Sequence, residues 1–395
     1  MLKLVIIGLK HETFNERYLI MDENRLDIFL QNNSCLVELL RSSKKGRIVF
    51  AFDRQINRLY KEYKNETDPK RKLDLCTEVL NLYDRTIIRE IELFIHSTLM
   101  DIKVFLKQRG NRKTIDRSDH KKTDYYSVAV ILKNEARYIK EFVLFHQVAG
   151  ADRIYIYDND STDNLLDVLQ PYIDSGLVIY RKWSGTGDVQ TAAYRDAIRR
   201  TKNRTKWLAI VDADEFLFSP KGDMKEQLKQ YETYPGVAVN WVVFGPNGHI
   251  KRPDGLVMDN YFTTPANFDI PINCHIKSIV QPKQVFCMHH THYAWYRHGN
   301  YAVNEQLQTV DNRNSFSIGG GRAFTEHNHR EIFRINHYKT RSMEDLEEKC
   351  RRGYIDGASP ADYDDQLKPF MDNMVEDHVI SPFAAAVKIF LRDSC

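Results

Sequence analysis

The feature that most constrains this chain is a regular alternation of apolar runs and amphipathic segments between residues 126 and 211. The strand-like runs cover 126–132, 152–157, 177–180 and 207–211. The segments between them, whose apolar residues recur at helical spacing, cover 135–148, 163–173 and 188–201. Strands that alternate with helices in this way predict βαβ units and a largely parallel sheet. We therefore expect an α/β fold that binds its ligands at the carboxyl ends of the strands.

The sequence on either side of this region differs from it. Residues 72–108 carry apolar side chains at helical spacing and no catalytic cluster, and residues 110–123 are charged and apolar-poor, as is typical of a linker. Near the other end, Ser342 to Asp345 predicts a capped helix start, and Ser381 followed by Pro382 predicts a last helix that packs on the core. We predict a mainly helical N-terminal region (1–122), an α/β domain (123–355) and a C-terminal helical extension (356–395).

Composition excludes several classes of protein. With 395 residues, of which 42% are hydrophobic, the chain has enough material for a core. A net charge of +3 argues against a nucleic-acid partner. The six cysteines include no Cys-x-x-Cys pair, which indicates reduced thiols. No apolar run has the length of a membrane span, and the start lacks the features of a signal peptide. We expect a cytoplasmic protein, at most peripheral to the inner face of the membrane.

Acidic and amide side chains follow three of the predicted strands directly. They are Asn134 and Glu135 after the first, Asp158, Asp160 and Asp163 after the second, and Asp212, Asp214 and Glu215 after the third. Carboxylates at the ends of parallel strands can hold a hard cation or hydrogen-bond a nucleoside. Three acids within four residues repel one another unless a cation or hydrogen-bond donors compensate them. For Asp163, a helix-capping role is an equal alternative.

Longer segments make the chain similar to a known family. In chain order, the segments are 129–136, 141–146, 150–163, 190–194, 211–216, 241–245, 277–280 and 335–338. Together they resemble glycosyltransferase family 92 and related family-2-like GT-A enzymes over about residues 125–355. The resemblance implies a Rossmann-like GT-A domain, a nucleotide-sugar donor and a Mn²⁺ or Mg²⁺ ion. Arg341 departs from the family's usual lysine but can still bind phosphate. Asn159 and Asp160 depart from the Asp-Asp-Gly-Ser turn of the wider group, which leaves open which acid meets the nucleoside.

The resemblance also implies roles for individual residues. The donor-binding residues that it implies are Asn134, Glu135, Asp158, Asp160, Gln190, Asp212, Lys277 and Arg341. The metal ligands that it implies are Asp212, Asp214 and His337. The catalytic base stays open among Asp254, Asp259 and Glu305, each of which also fits a surface acid. Trp241 and His249 are candidate acceptor-binding residues because an aromatic face suits a sugar ring, although core packing explains Trp241 equally well.

We predict a metal-dependent, inverting hexosyltransferase that uses a UDP-sugar. UDP-galactose is the first expectation for the donor. The acceptor is a glycan or glycolipid, as in bacterial surface polysaccharide or lipopolysaccharide synthesis. A nucleotidyltransferase is an alternative, but the first strand lacks the expected glycine-rich and basic loop. A second alternative is a non-catalytic module that binds a glycan or a partner. The intact set of acids argues against this alternative.

A structural zinc site is a further alternative in the short run from Cys287 to His292. This run holds one cysteine and three histidines, and these are residue types that zinc prefers. No second Cys or His pair lies at zinc-finger spacing, however, so we expect no structural zinc there.

Overall fold

The computed structural model describes residues 58–59, 62, 65–68, 71, 74–75, 78, 114–118, 123–185, 189–288, 290–297, 301–310, 323–352, 367–371 and 373–393. The described positions before residue 79 belong to one compact unit, and those from residue 114 onward belong to another. Most of the helical segment predicted over residues 72–108 lies outside the described residues. The predicted domain boundaries stay predictions.

The larger unit is an α/β structure. Its helices are α1 (Ile139–Val148), α2 (Leu165–Asp174), α3 (Val189–Thr201), α4 (Met224–Leu228), α5 (Val257–Asn260), α6 (Met343–Arg352) and α7 (Ser381–Asp393), with short 3₁₀ helices at Lys229–Tyr231 and Lys368–Phe370. Its first strands are β1 (Thr114–Ile115), β2 (Asp124–Leu132), β3 (Arg153–Asp158), β4 (Val178–Lys182), β5 (Thr205–Ile210), β6 (Glu215–Phe218) and β7 (Gly236–Val243). The later strands are β8 (Thr263–Pro265), β9 (Ile276–Val280), β10 (Val285–Cys287), β11 (Trp295–Tyr296), β12 (Ala302–Val303), β13 (Thr309–Val310), β14 (Arg334–His337) and β15 (Met374–Glu376).

The centre of the sheet is parallel. Strands β4, β3, β2 and β5 lie side by side in that order, and every neighbouring pair among them is parallel. Strand β9 follows as an antiparallel strand between β5 and β7. Strand β14 pairs in parallel with β7 and antiparallel with β6. The predicted α/β class, with a parallel arrangement at the centre of the sheet, is confirmed.

The central strands β2, β3, β4 and β5 are buried along nearly their whole length because helices cover both faces of the sheet. In β2, Val128 and Val130 pack in the same cluster as α1 and α2, whereas Ala129 and Ile131 pack in the cluster of α3. Successive side chains of a strand point to opposite faces, so a strand covered on both sides loses the usual apolar–polar alternation. Full burial of each such aliphatic side chain contributes about 1.5–3 kcal/mol.

The prediction that residues 110–123 are only a linker is wrong for part of this segment. Its residues Thr114 and Ile115 form β1, the edge strand of the sheet, which pairs antiparallel with β4. Arg204 anchors the next residues, because its guanidinium lies 3.3 Å from Asp116 and donates to Ser118 at 2.9 Å. Charged residues are compatible with an edge strand, since one side of such a strand faces solvent.

The last helix, α7, packs on the core as predicted. The Phe383 ring lies 5.6 Å from that of Phe145 on α1 and 5.1 Å from that of Phe218 on β6. Ala384 and Val387 on the same face are buried. Within the part of the chain that the structure describes, no helix is long and apolar enough to span a membrane.

Candidate active site

The turns that follow β2 and β3 are joined by hydrogen bonds. Asn134 has a φ of +56°, which asparagine tolerates better than most residues. Its backbone N–H donates to Ser161 Oγ at 2.9 Å, and its Oδ1 accepts the N–H of Thr162 at 2.8 Å. Nearby, Asp163 accepts the N–H of Ala136 and that of the first residue of α2. The N-cap of α2 is Asn164, whose side chain makes no capping bond, so Asp163 supports the start of the helix from one residue before the cap.

The two other acids of the β3 turn have different surroundings. Asp158 is buried, and its oxygens accept the N–H of Ser161 at 2.8 Å and the hydroxyl of Tyr180 at 2.6 Å. Asp160 has a φ of +55° and a side chain that is 43% exposed, and it accepts the hydroxyl of Ser184 at 2.6 Å. Asp160 is therefore the acid of this turn that a ligand can reach, whereas Asp158 holds the turn together.

Asp212 is held by donors from two other elements. Its Oδ2 accepts from Lys277 Nζ of β9 at 2.8 Å, and its Oδ1 accepts from Gln190 Nε2 of α3 at 2.8 Å. The Tyr194 hydroxyl lies 2.9 Å from the same Oδ1. Three residues predicted to bind the donor, Asp212, Gln190 and Lys277, are thus in direct contact. The contact with Tyr194 was not predicted.

Glu215, at the start of β6, contacts both Asp212 and Lys277. Its Oε2 accepts the Asp212 N–H at 2.9 Å, and its Oε1 lies 3.7 Å from Lys277 Nζ. Burial raises the pKa of Glu215 well above its usual range. Burial acts to lower the pKa of Lys277, but Asp212 and Glu215 outweigh it and raise this pKa. Lys277 therefore carries its charge although its side chain is only 1% exposed.

Asp214 lies between a histidine and a lysine. Its Oδ1 is 3.5 Å from His337 Nε2, and its Oδ2 accepts from Lys349 Nζ at 2.8 Å. Burial acts to raise the pKa of Asp214, but Lys349 and His337 hold it well below its usual range. Burial also lowers the pKa of His337, so that its imidazole is neutral at physiological pH. His337 reaches this place because β14 pairs with β6 in a register that sets His337 opposite Glu215.

Arg341 links the first and third turns. Its φ is +52°, which is uncommon for a residue with a large side chain. The guanidinium donates to Glu135 Oε2 at 2.9 Å and lies 3.4 Å from the carbonyl oxygen of Ala213. It also stacks over the Tyr138 ring at 4.0 Å. The structure therefore brings predicted residues from both ends of the domain to one edge of the sheet.

The two candidate acceptor residues are placed differently. Trp241 on β7 is only 7% exposed; its ring stacks on His275 at 4.8 Å and meets the His337 ring edge-on at 4.4 Å. It belongs both to the core and to the wall of the site, so the two alternatives for Trp241 are compatible. His249 makes a hydrogen bond of 3.2 Å with the Asn260 carbonyl oxygen and an edge contact with Tyr261.

The three candidate bases also differ. Glu305 is buried, and its oxygens accept three consecutive backbone N–H groups, those of residues 331–333. This arrangement corrects the expectation for Glu305, because a carboxylate whose oxygens are occupied in this way anchors a loop. Asp259 pairs with Lys388 of α7 at 2.8 Å, and Asp254 has a fully exposed side chain 3.9 Å from Arg137.

The predicted metal set is only partly assembled. Among the described residues, no three His, Cys, Asp or Glu side chains converge on one point as a metal cluster. Asp212 points to Lys277, while Asp214 and His337 are adjacent. Mg²⁺-like cations take only one or two protein ligands when phosphates and water supply the rest, so this pair fits such an ion. In the run considered for zinc, His289 lies outside the described residues, so that alternative stays untested.

Sequence reasoning missed two of the residues that contact these acids. Tyr194 lies on α3 one turn after Gln190, at a spacing that places both on one face of the helix. Lys349 lies on α6, one turn after the capping residue Asp345. Tyr194, to which no role was assigned, ends the 190–194 segment of the family resemblance, and for Lys349 the available signal was its helical spacing from Asp345.

Comparisons with known proteins find a family model and relatives that are similar to this chain in sequence. The family model described as Glycosyltransferase family 92 matches residues 125–366. The family 92 protein Os08g0121900 of Oryza sativa is 25% identical over 226 residues, which cover 56% of this chain and 34% of that protein. RCOM_0530710 of Ricinus communis, also a family 92 protein, is 29% identical over 126 residues, 31% of this chain and 23% of that protein. The matches span about a third of the first relative and a quarter of the second.

Two solved structures show weaker similarity. S. aureus TarS in complex with UDP-GlcNAc is 18% identical, with a TM-score of 0.25 over 40% of this chain and 45% of that chain. The mannosyltransferase PcManGT from Pyrobaculum calidifontis, in complex with GDP-Man and Mn²⁺, is 16% identical, with a TM-score of 0.23 over 41% of this chain and 47% of that chain.

Proposed function

This chain belongs to glycosyltransferase family 92, and we propose that it transfers a sugar from a nucleotide-diphosphate donor to a hydroxyl group of an acceptor. The observation that carries the proposal is the convergence of three strand-end turns with buried cations at one edge of the sheet. Arg341 ties Glu135 to the Asp212–Asp214 turn, and Lys277 holds Asp212. Glycosyl transfer from such a donor requires positive charge where the diphosphate leaves, and this edge supplies it.

The donor is proposed to lie across this edge of the sheet. Its diphosphate would face the Asp212–Asp214 turn, where Arg341 provides a fork-shaped donor suited to phosphate oxygens. Its nucleoside would lie toward Asp160, the accessible acid of the β3 turn. Lys277 and Gln190 orient Asp212, and they support donor binding from beneath the turn.

A divalent cation, Mn²⁺ or Mg²⁺, is part of the proposal. Asp214 and His337 are the residues that would hold it, because the carboxylate is ionised, the imidazole is neutral and the two lie 3.5 Å apart. When bound, such an ion would supply Lewis-acid stabilisation of negative charge on the diphosphate. Asp212 acts in this proposal through its ion pair with Lys277.

The reaction is proposed to invert the anomeric carbon. The bond between that carbon and the diphosphate oxygen breaks, and both electrons stay on the oxygen. The acceptor oxygen forms the new bond and gives its proton to a base, for which Asp254 and Asp259 are the candidates. Trp241 and His249 are proposed for the acceptor side. A hexose from UDP-galactose, a glycan or glycolipid acceptor in surface polysaccharide synthesis and a cytoplasmic location complete the proposal.

A melting screen of the purified protein tests this function. UDP, GDP, CDP and dTDP are added singly, each with and without Mn²⁺. A ligand that binds the native state raises the melting temperature by mass action. We expect one nucleotide to raise the melting temperature, and to raise it further when Mn²⁺ is present. In a second assay, the protein should hydrolyse the nucleotide sugar that contains this nucleotide. If no nucleotide raises it, the transferase proposal is contradicted and a non-catalytic binding module is favoured.

A further inference from the structure

Lys349 is a cation of this site that strand-end motifs do not reveal. It lies on α6, and its Nζ donates to Asp214 Oδ2 at 2.8 Å and to the carbonyl oxygen of Lys339 at 3.1 Å. The contact joins residues that are 135 positions apart in the sequence. Lys349 therefore belongs to the Asp212–Asp214 turn in space, although it comes from a helix that follows β14.

Helix α6 is anchored without this lysine. Ser342 Oγ accepts the Asp345 N–H at 3.1 Å, and Asp345 Oδ2 lies 3.2 Å from the Ser342 N–H, which closes a capping box at the start of the helix. Tyr138 donates its hydroxyl hydrogen to Asp345 Oδ1 at 2.9 Å, and Leu346 is buried. Because Lys349 follows Asp345 by four residues, these anchors direct its side chain to the same side of α6.

Accessibility separates Lys349 from the two cations, Lys277 and Arg341, that pair with acids of the first and third turns. The side chain of Lys277 is 1% exposed and that of Arg341 is 8% exposed, whereas that of Lys349 is 22% exposed. Arg341 is also held by Glu135 and stacks on Tyr138. Among these three cations, Lys349 is the one that an incoming anion can touch with the least rearrangement.

The charge around Asp214 favours an anionic ligand. Lys339, Arg341 and Lys349 all act on this carboxylate, and Arg341 also pairs with Glu135. These three cations converge on Asp214, and a phosphate oxygen near Lys349 would place a second negative group beside them. An ammonium carries three hydrogens, so Lys349 can keep its bonds and still donate to phosphate when small rotations allow it.

We propose that Lys349 binds the diphosphate of the donor and stabilises its negative charge as it leaves. The inference rests on the proposed function and adds a substrate-contacting residue to it. In the transfer step, the bond from the anomeric carbon to the diphosphate oxygen breaks and the electron pair stays on that oxygen. Lys349 donates hydrogen bonds to the diphosphate throughout and transfers no proton, while the acceptor's proton goes to the base.

The test compares diphosphate and monophosphate binding. Calorimetric titrations with UDP and with UMP, or with the matching pair for the nucleotide that the melting screen selects, are run on wild type, Lys349→Met and Lys349→Arg, with and without Mn²⁺. We expect Lys349→Met to weaken UDP binding by about tenfold or more, the size of a lost hydrogen bond to a charged group, and to change UMP binding much less. Lys349→Arg keeps the charge and should recover most of the UDP affinity.

Lys225→Met is the matched control. Lys225 forms a similarly half-buried pair with Asp152 at 2.6 Å, at the start of β3 and hence at the opposite edge of the sheet. The Lys225→Met variant should leave the affinities for UDP and for UMP unchanged. Equal UDP affinity in wild type and Lys349→Met, or equal losses for UDP and UMP, would overturn the inference while the proposed function stands. If wild type binds no nucleotide, both fail. If Lys349→Met does not fold, unimpaired UDP binding by Lys349→Gln overturns the inference, and a selective loss of UDP binding supports it.

Discussion

At the scale of single residues, Asp214 is where the charges of the site meet. It receives a hydrogen bond from Lys349, lies beside the neutral His337 and keeps its own negative charge in partly buried surroundings. A charged group in such a place is costly to desolvate and is retained when its partners compensate that cost. Asp214 is therefore the residue whose charge we expect to matter most for binding a cation and a diphosphate.

Asp214→Asn should remove the Mn²⁺-dependent part of nucleotide binding and lower transfer by about 100-fold or more, comparable to the loss of one preorganised charge-stabilising group. The variant keeps the shape of the side chain but loses the charge that pairs with Lys349, so each variant's melting temperature without ligand serves as its own baseline. The measurement is the shift in melting temperature with nucleotide plus Mn²⁺. Asp174→Asn, which alters a surface pair with Arg117, is the control. An undiminished Mn²⁺ response in Asp214→Asn would refute the metal assignment.

Lys277→Met should lower the free energy of unfolding of the domain. The buried ammonium is the partner of Asp212 and Glu215, and its removal leaves carboxylates without a cation in the interior. Breaking a buried pair in this way costs about 3–5 kcal/mol. Urea denaturation gives the free energy of unfolding. Adding Glu215→Gln should recover part of the loss, and a double variant no more stable than the single one would contradict the assigned coupling.

At the scale of elements, α1 carries two buried polar side chains, Glu141 and His146. Glu141 accepts the backbone N–H groups of Val257 and Met258 and so caps the start of α5. His146 on the same helix is fully buried and lies 4.4 Å from the Phe142 ring. Burial lowers the pKa of His146 to about 3, so the folded protein keeps this imidazole neutral well below pH 6.

His146 should make stability depend on acidity. Its pKa is lower in the folded state than the usual 6.5, so between pH 6.5 and about 3 the unfolded chain binds more protons. Stability therefore falls as the pH falls below 6.5, by up to about 1.4 kcal/mol per pH unit from this group. Urea denaturation of wild type and His146→Leu between pH 7 and 5 measures it. The variant should show a flatter profile, whereas His378→Gln at an exposed histidine should keep the wild-type slope.

At the scale of the whole domain, α7 completes the core although it follows all of the sheet in the sequence. Phe383 joins an aromatic cluster with Phe145 and Phe218, which lie more than 160 positions earlier. The helix buries one face against α1, while Ile389 and Phe390 on another face are exposed. The stability of the α/β domain should therefore depend on this last helix.

Phe383→Ala should destabilise the whole domain by about 2–4 kcal/mol, because it leaves a cavity beside α1 and β6. Phe390→Ala on the same helix is the control and should change stability by less than about 1 kcal/mol, since its side chain is 43% exposed. Tryptophan fluorescence during urea unfolding reports the transition, because Trp183, Trp207 and Trp241 lie in or beside the sheet. Equal effects of the two variants would show that α7 is not part of the cooperative core.

The sequence by itself determined the α/β order and the position of each strand-end turn, because apolar periodicity depends only on residues that are near one another in the sequence. Tertiary structure alone decided how the acids are used. Asp158 and Glu305 hold turns and loops, Asp212 pairs with Lys277 across 65 positions, and Asp214 meets Lys349 across 135. Such partners depend on the antiparallel insertion of β9, the register of β14 and the direction of α6, which no local pattern specifies. Charge pairing acts through space, so residues far apart in the chain compensate one another only after the sheet has formed.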